Sequence, residues 1–182
     1  MQVIGIVGLP ASGKGEFSRI AAEAGVPVVV MGDVIRNAVK EAGLPPTDEN
    51  MGLIANQLRQ AEGMDAIALR CVPLIMAEKA PLVLIDGIRG DAEVLIFRRE
   101  FPGFRLIGID SDFPTRLARV MSRGRSDDLR NGDELKIRDE RELGWGLGRA
   151  LDQADIRIRN DGTLDEFARD VQALLRRLGG GS

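Results

Sequence analysis

Histidine and tyrosine are absent from the 182 residues, and cysteine and tryptophan occur once each. Without histidine the chain has neither a Cys/His zinc site nor a histidine general base. The single Cys71 excludes an internal disulfide and reads as a small buried hydrophobe. Aromatic residues make up only 4%, which removes the usual stacking clues to a ligand, and Trp145 stands alone. No run approaches 18 uninterrupted apolar residues, and the first residues lead straight into a strand pattern rather than a charged and then apolar leader, so the chain is expected to be cytoplasmic. The net charge of −3 gives no electrostatic case for nucleic acid or an anionic membrane; any basic function must be local. Internal repeats are absent, and Gly179-Gly180-Gly181-Ser182 reads as a flexible tail.

What is present starts at residue 8. Gly8-Leu9-Pro10-Ala11-Ser12-Gly13-Lys14-Gly15 follows the apolar run Val3 to Val7, so a buried strand runs into a glycine-rich turn. The pattern fits G-x-x-x-x-G-K in full, with Gly15 and then Glu16 where Ser or Thr usually follows. Gly8 and Gly13 are expected to supply backbone conformations closed to residues with a Cβ, letting consecutive N–H groups converge on an anion at a helix N-terminus. Lys14 would reach the β and γ phosphates. Phe17, Ile20, Ala21 and Ala24 then keep helical spacing up to Gly25. The spacing Gly5, Gly8, Gly13 does not fit G-x-G-x-x-G, which favours a nucleoside triphosphate over a dinucleotide.

Apolar runs at Val3 to Val7, Pro27 to Met31, Leu82 to Asp86, Arg105 to Asp110 and Asp155 to Arg159 alternate with helical patterns. The reading is one α/β domain over residues 1–178, a three-layer P-loop sandwich with a five-stranded parallel sheet and helices on both faces. Thr163 and Glu166 are spaced as a capping box for a last helix whose stripe is Leu164, Phe167, Val171, Leu174, Leu175 and Leu178. Two segments exceed a minimal βα unit. Residues 33–80 read as a helical insertion of the kind that builds a substrate site: a helix from Asp33 to about Ala42, one from Thr47 with the stripe Met51, Ile54, Ala55, Leu58 and Ala61, and one from about Asp65 that Pro73 either kinks or starts. Residues 123–147 are dense in Arg and Asp, end in Gly144-Trp145-Gly146-Leu147-Gly148, and read as a mobile lid.

Polar residues gather where open α/β sheets place their ligands, beyond the C-terminal strand ends. Asp33 and Arg36, three apart on a helix, share a face; Asp33 is either a helix N-cap only or a functional carboxylate. Asp86-Gly87-Ile88-Arg89 ends the third strand, where Asp86 can hold the hydration shell of Mg²⁺ and Arg89 a pair of phosphate oxygens.

These residues resemble the P-loop nucleoside monophosphate kinases over almost the whole chain, and most closely an archaeal group described as adenylate-kinase-related. Gly8 to Gly15 looks like the adenylate kinase loop, which also has glycine after its lysine but continues with Thr where this chain has Glu16. Gly32-Asp33-Val34-Ile35-Arg36 resembles the Gly-Asp-x-x-Arg of the monophosphate-binding helix, and Asp86-Gly87-Ile88-Arg89 resembles Asp-Gly-Phe-Pro-Arg, one residue shorter. The resemblance implies that Arg36 and Arg89 grip the acceptor phosphate. It also implies that Arg119, Arg123, Arg125, Asp127 and Asp128 belong to a lid like that of short UMP/CMP kinases, with Arg138 and Arg141 as its later arginines. The segment from Ala154 to Leu164 is similar instead to the fifth-strand region of dephospho-CoA kinases, which implies that Asn160 and Gly162 lie beside the ATP base.

The expected activity is transfer of the γ-phosphate of ATP, with Mg²⁺, to a nucleoside monophosphate. Phosphoryl transfer needs in-line positioning and cations around the equatorial oxygens, here Lys14 with Arg123, Arg125, Arg138 and Arg141. A hydroxyl acceptor, as in dephospho-CoA, would need a base, for which Asp33 is the candidate. A slow ATPase switch acting with a protein partner is the reading from outside the kinases.

Overall fold

The computed structural model describes residues 1–123 and 132–179. In chain order it forms β1 (Gln2–Val7), α1 (Lys14–Glu23), β2 (Val28–Val30), α2 (Met31–Glu41), α3 (Asp48–Glu62), α4 (Ala66–Ala77), β3 (Leu82–Ile88) and α5 (Asp91–Glu100). Then follow β4 (Arg105–Asp110), α6 (Phe113–Arg123), α7 (Gly132–Gly144), α8 (Leu147–Asp152), β5 (Ile156–Arg159) and α9 (Leu164–Gly179). The strands form one parallel sheet in the order β2-β3-β1-β4-β5.

Each central strand is apolar on both faces because helices cover both. Val3 and Val7 of β1, with Val83 and Ile85 of β3, face a core shared with α2, α3, α4, α5 and α8. Ile4 and Ile6, with Leu84, Ile107 and Ile109, face α1 and α9 on the other side. Gly5 sits between these layers where an added Cβ would meet Ile88 and Phe104, so the close packing of β1 requires its glycine.

Three helix starts matter for the site. No turn separates β2 from α2: Val30 is the N-cap, and Met31 already belongs to the helix. Asp33 therefore lies inside the first turn, which corrects its reading as an N-cap; a carboxylate there still complements the helix dipole. Thr47 does cap α3, accepting from Asn50 N–H at 3.2 Å. Helix α4 runs through Pro73, so the proline is not its start.

At α9 the capping box forms in both directions: Thr163 Oγ1 accepts from Glu166 N–H at 3.2 Å, and Thr163 N–H donates to Glu166 Oε2 at 2.8 Å. Phe167, Val171, Leu174 and Leu175 are buried, whereas Leu164 at the helix start faces solvent. Ala24 and Ala61, at the ends of their stripes, are likewise exposed. Gly179, read as tail, completes α9.

Candidate active site

The turn between β1 and α1 shows why its glycines are where they are. At Gly13, φ is +116°, and a Cβ there would run into Asn160 Nδ2. At Gly8 the reason is space rather than a left-handed backbone: a Cβ would lie 2.5 Å from Ser12 Oγ and 2.7 Å from Ile109 O. The second left-handed residue of the loop is Ala11, with φ of +61°. Helix α1 opens at Lys14 without a side-chain cap, so its first N–H groups are left to an anion.

A second set of residues holds the loop's carbonyls from behind. Asn160 Nδ2 donates to Ser12 O at 2.8 Å. Arg119 donates to Asn160 O at 2.8 Å and to its Oδ1 at 3.0 Å, and reaches Ala11 O and Ser12 O at 3.4 Å. Buried Arg116 donates to Pro10 O at 3.1 Å while its fork grips Asp139 at 2.9 and 2.8 Å. Arg116 was not among the sequence candidates; its partners lie in other elements. Gly162 makes room for the α9 cap, since a Cβ there would lie 2.6 Å from Glu166 Oε2. Glu16 pairs with Arg19 on the outer side of α1, and at Gly15 an added Cβ would meet nothing within 4 Å.

Lys14 donates from Nζ to Gly8 O at 2.5 Å and Leu9 O at 3.0 Å. Burial lowers its pKa to about 8; Glu142 and Asp86 oppose that shift, while Arg89 and Arg138 reinforce it. The ammonium thus feels the charge of both carboxylates and both arginines. It lines a cavity of about 230 Å³ together with Asp86, Arg36, Arg89, Arg138 and Arg141; Ile35, Met51, Ala55 and Trp145 supply apolar wall.

The end of β3 is shaped for this. Ile6 pairs with Asp86 but Val7 with Ile88, so Gly87, at φ +99°, bulges out of the ladder. Bulges of this kind re-aim side chains beside sites; here Asp86 and Arg89 both reach the cavity. Ser18 Oγ donates to Asp86 Oδ2 at 2.8 Å. Asp33, by contrast, is an exposed partner of Arg36 and does not line the cavity.

Two carboxylates that sequence reasoning missed organise the arginines. Glu142 is buried and pairs with Arg89 and with Arg138, whose Nε lies 3.2 Å away. Burial pushes its carboxyl up, but Arg89, Lys14 and Arg138 together hold it below the usual range. Asp48, on α3, takes Arg141 at 3.0 Å and Arg138 at 3.5 Å. The i,i+4 spacing of Arg138 and Glu142 was the only local signal. Behind the cavity Arg59 and Glu93 form a buried pair at 3.0 Å, and Glu93 Oε2 accepts from Arg89 N–H at 2.7 Å. Trp145 is packed: Arg59 stacks on its ring at 4.3 Å and its Nε1 donates to Asn56 Oδ1 at 2.7 Å. Arg125, Asp127, Asp128 and the side chain of Arg123 lie outside the described residues.

Fold and loop together define a P-loop kinase-like domain. A family model described as an AAA domain matches residues 7–138. The fold is shared with a gluconokinase from Sinorhizobium meliloti (TM-score 0.60, 18% identity, 98% of this chain and 94% of that one). It is shared also with a shikimate kinase from Bacteroides thetaiotaomicron (TM-score 0.63, 14% identity, 96% and 98%). The chain belongs to the UPF0200 family of archaeal proteins. It is 65% identical over 175 residues to a UPF0200 protein of Methanoregula boonei, covering 96% of each. Against that of Methanosarcina acetivorans it is 52% identical over 176 residues, covering 96% of this chain and 94% of the other.

Proposed function

We propose that this chain is an ATP-dependent phosphotransferase that moves the γ-phosphate of ATP to a nucleoside monophosphate or similar small nucleotide. The observation that carries the reading is one cavity in which Lys14 of the phosphate loop meets Arg36, Arg89, Arg138 and Arg141 from α2, the β3–α5 turn and α7. A lysine at the loop together with four further cations suits two phosphorylated ligands brought end to end.

In this reading the loop N–H groups and Lys14 hold the β and γ phosphates, and Arg36 and Arg89 hold the acceptor. Arg138 and Arg141 neutralise charge on the transferred group. Asn160, Arg119 and Gly162 edge the donor site, and lid residues 123–147 exclude water. A nucleoside monophosphate presents an anionic oxygen and needs no base, which agrees with an Asp33 that is paired with Arg36 and outside the cavity.

Among the described residues no group of three His, Cys, Asp or Glu side chains could cage a metal. Asp86 with its Ser18 partner fits instead a Mg²⁺ held by one carboxylate, nucleotide oxygens and water. Such an ion would neutralise charge that develops on the transferred phosphate.

Exchange of the two acceptor arginines tests the proposal. Arg36→Ala and Arg89→Ala should each raise the KM for the monophosphate about tenfold or more, the scale of a lost charged hydrogen bond, while leaving the KM for ATP nearly unchanged. Turnover indifferent to both exchanges would remove the acceptor site from the account.

A further inference from the structure

The residue after the loop lysine is Gly15, so the hydroxyl that the G-x-x-x-x-G-K-[ST] pattern places there is missing. One helical turn on, Ser18 stands four residues after Lys14 and shares its face of α1. A serine inside a helix commonly bonds back to a carbonyl of its own preceding turn. Ser18 does otherwise: its Oγ donates to Asp86 Oδ2 at 2.8 Å, joining α1 to the end of β3 across 68 residues of sequence. Both groups are half-buried, and Asp86 lies in the same cavity wall as Lys14.

The chemistry of this pair is directional. Ser18 has one proton, and the bond to Asp86 uses it, so the hydroxyl's lone pairs are left to accept from water. The carboxylate keeps acceptor capacity beyond the one lone pair that Ser18 occupies. Water bound to a divalent cation donates its protons outward, and a carboxylate whose Oδ2 is fixed by Ser18 offers it acceptors of set direction.

We infer that Ser18 takes over the task of the missing loop hydroxyl: it is a positioning residue that orients Asp86 and, with it, the hydration shell of a divalent cation on the bound nucleotide. The inference rests on the proposed nucleotide site but not on the identity of any acceptor.

The test is Mn²⁺ binding followed by electron paramagnetic resonance on the full chain with saturating ADP and no acceptor, beside ADP binding without metal by calorimetry. Ser18→Ala should weaken Mn²⁺ binding in the ADP complex about tenfold, the usual size of an outer-shell loss. It should leave metal-free ADP affinity at the wild-type value, and Ser18→Thr should restore the metal. Equal Mn²⁺ affinity in Ser18→Ala and wild type would overturn the inference with phosphotransfer intact. So would an equal loss of ADP binding with and without metal, which would mark a loop defect. A wild-type chain in which ADP adds nothing to Mn²⁺ binding would overturn it as well. Because no acceptor is present, failure of every acceptor in a turnover assay leaves this result standing.

Discussion

Lys14 holds its proton against the cost of its surroundings: burial brings its pKa down to about 8, with Glu142 the largest opposing charge. A protonated Lys14 is what a triphosphate requires, and the profile of kcat/KM reports ionisations of the free protein. The rate constant for ATP should therefore fall as pH rises through about 8. Removing the carboxylate charge removes a stabiliser of the ammonium, so Glu142→Gln should move that alkaline limb to lower pH. A limb that stays in place in this variant would show that Lys14 does not feel Glu142. At this scale the residues that stand in motifs were legible, the carboxylates Asp33 and Asp86 among them, and the partners drawn from distant elements, Arg116 included, were not. Lys14, Arg36 and Arg89 stand in spaced motifs, whereas Glu142 meets Arg89 across 53 residues, Asp48 meets Arg141 across 93, and Ser18 meets Asp86 across 68. Pairings between distant elements leave no trace in local spacing. Asp33, which the sequence offered as an N-cap only or as a functional carboxylate, lies inside the first turn of α2 and is the exposed partner of Arg36.

The elements were read best where their ends carry their own chemistry. Thr163 and Glu166 satisfy each other's N–H groups at the start of α9, and that reciprocity depends only on residues three apart. Thr163→Ala should cost about 1 kcal/mol in urea unfolding without changing turnover; no loss of stability would show that the cap contributes nothing beyond what water offers. Where an end is set by neighbours, the reading slipped. Helix α2 begins at Met31, directly on the end of β2, because Met31 is buried against the sheet and needs no polar cap to fix the turn. Leu164 fits the apolar spacing of α9 yet projects into solvent, because spacing alone does not say where along a helix its packing begins. The bulge at Gly87 was invisible for a similar reason: it exists only in the pairing of β3 with β1.

For the whole molecule, five apolar runs alternating with helices gave the class of fold, and the parallel sheet followed from strands apolar on both faces. The order β2-β3-β1-β4-β5 did not follow, because nothing in a strand's own sequence names its neighbour. That order sets β1 between β3 and β4 and brings the phosphate loop beside Asp86 on one flank and the Arg119–Asn160 pair on the other. The cavity thus joins a nucleotide loop to an arginine-lined chamber, and the central claim is that phosphate passes from one to the other. The measurement that tests it most directly is the initial rate of ADP formation from ATP and Mg²⁺ by purified protein. It would be run with each common ribo- and deoxyribonucleoside monophosphate, with dephospho-CoA, and with buffer alone, beside Lys14→Ala throughout. The account predicts that a monophosphate accelerates ADP formation and that Lys14→Ala abolishes the acceleration. Slow turnover that is lost with Lys14 yet indifferent to every acceptor would contradict it, leaving a nucleotide-hydrolysing switch in place of a kinase.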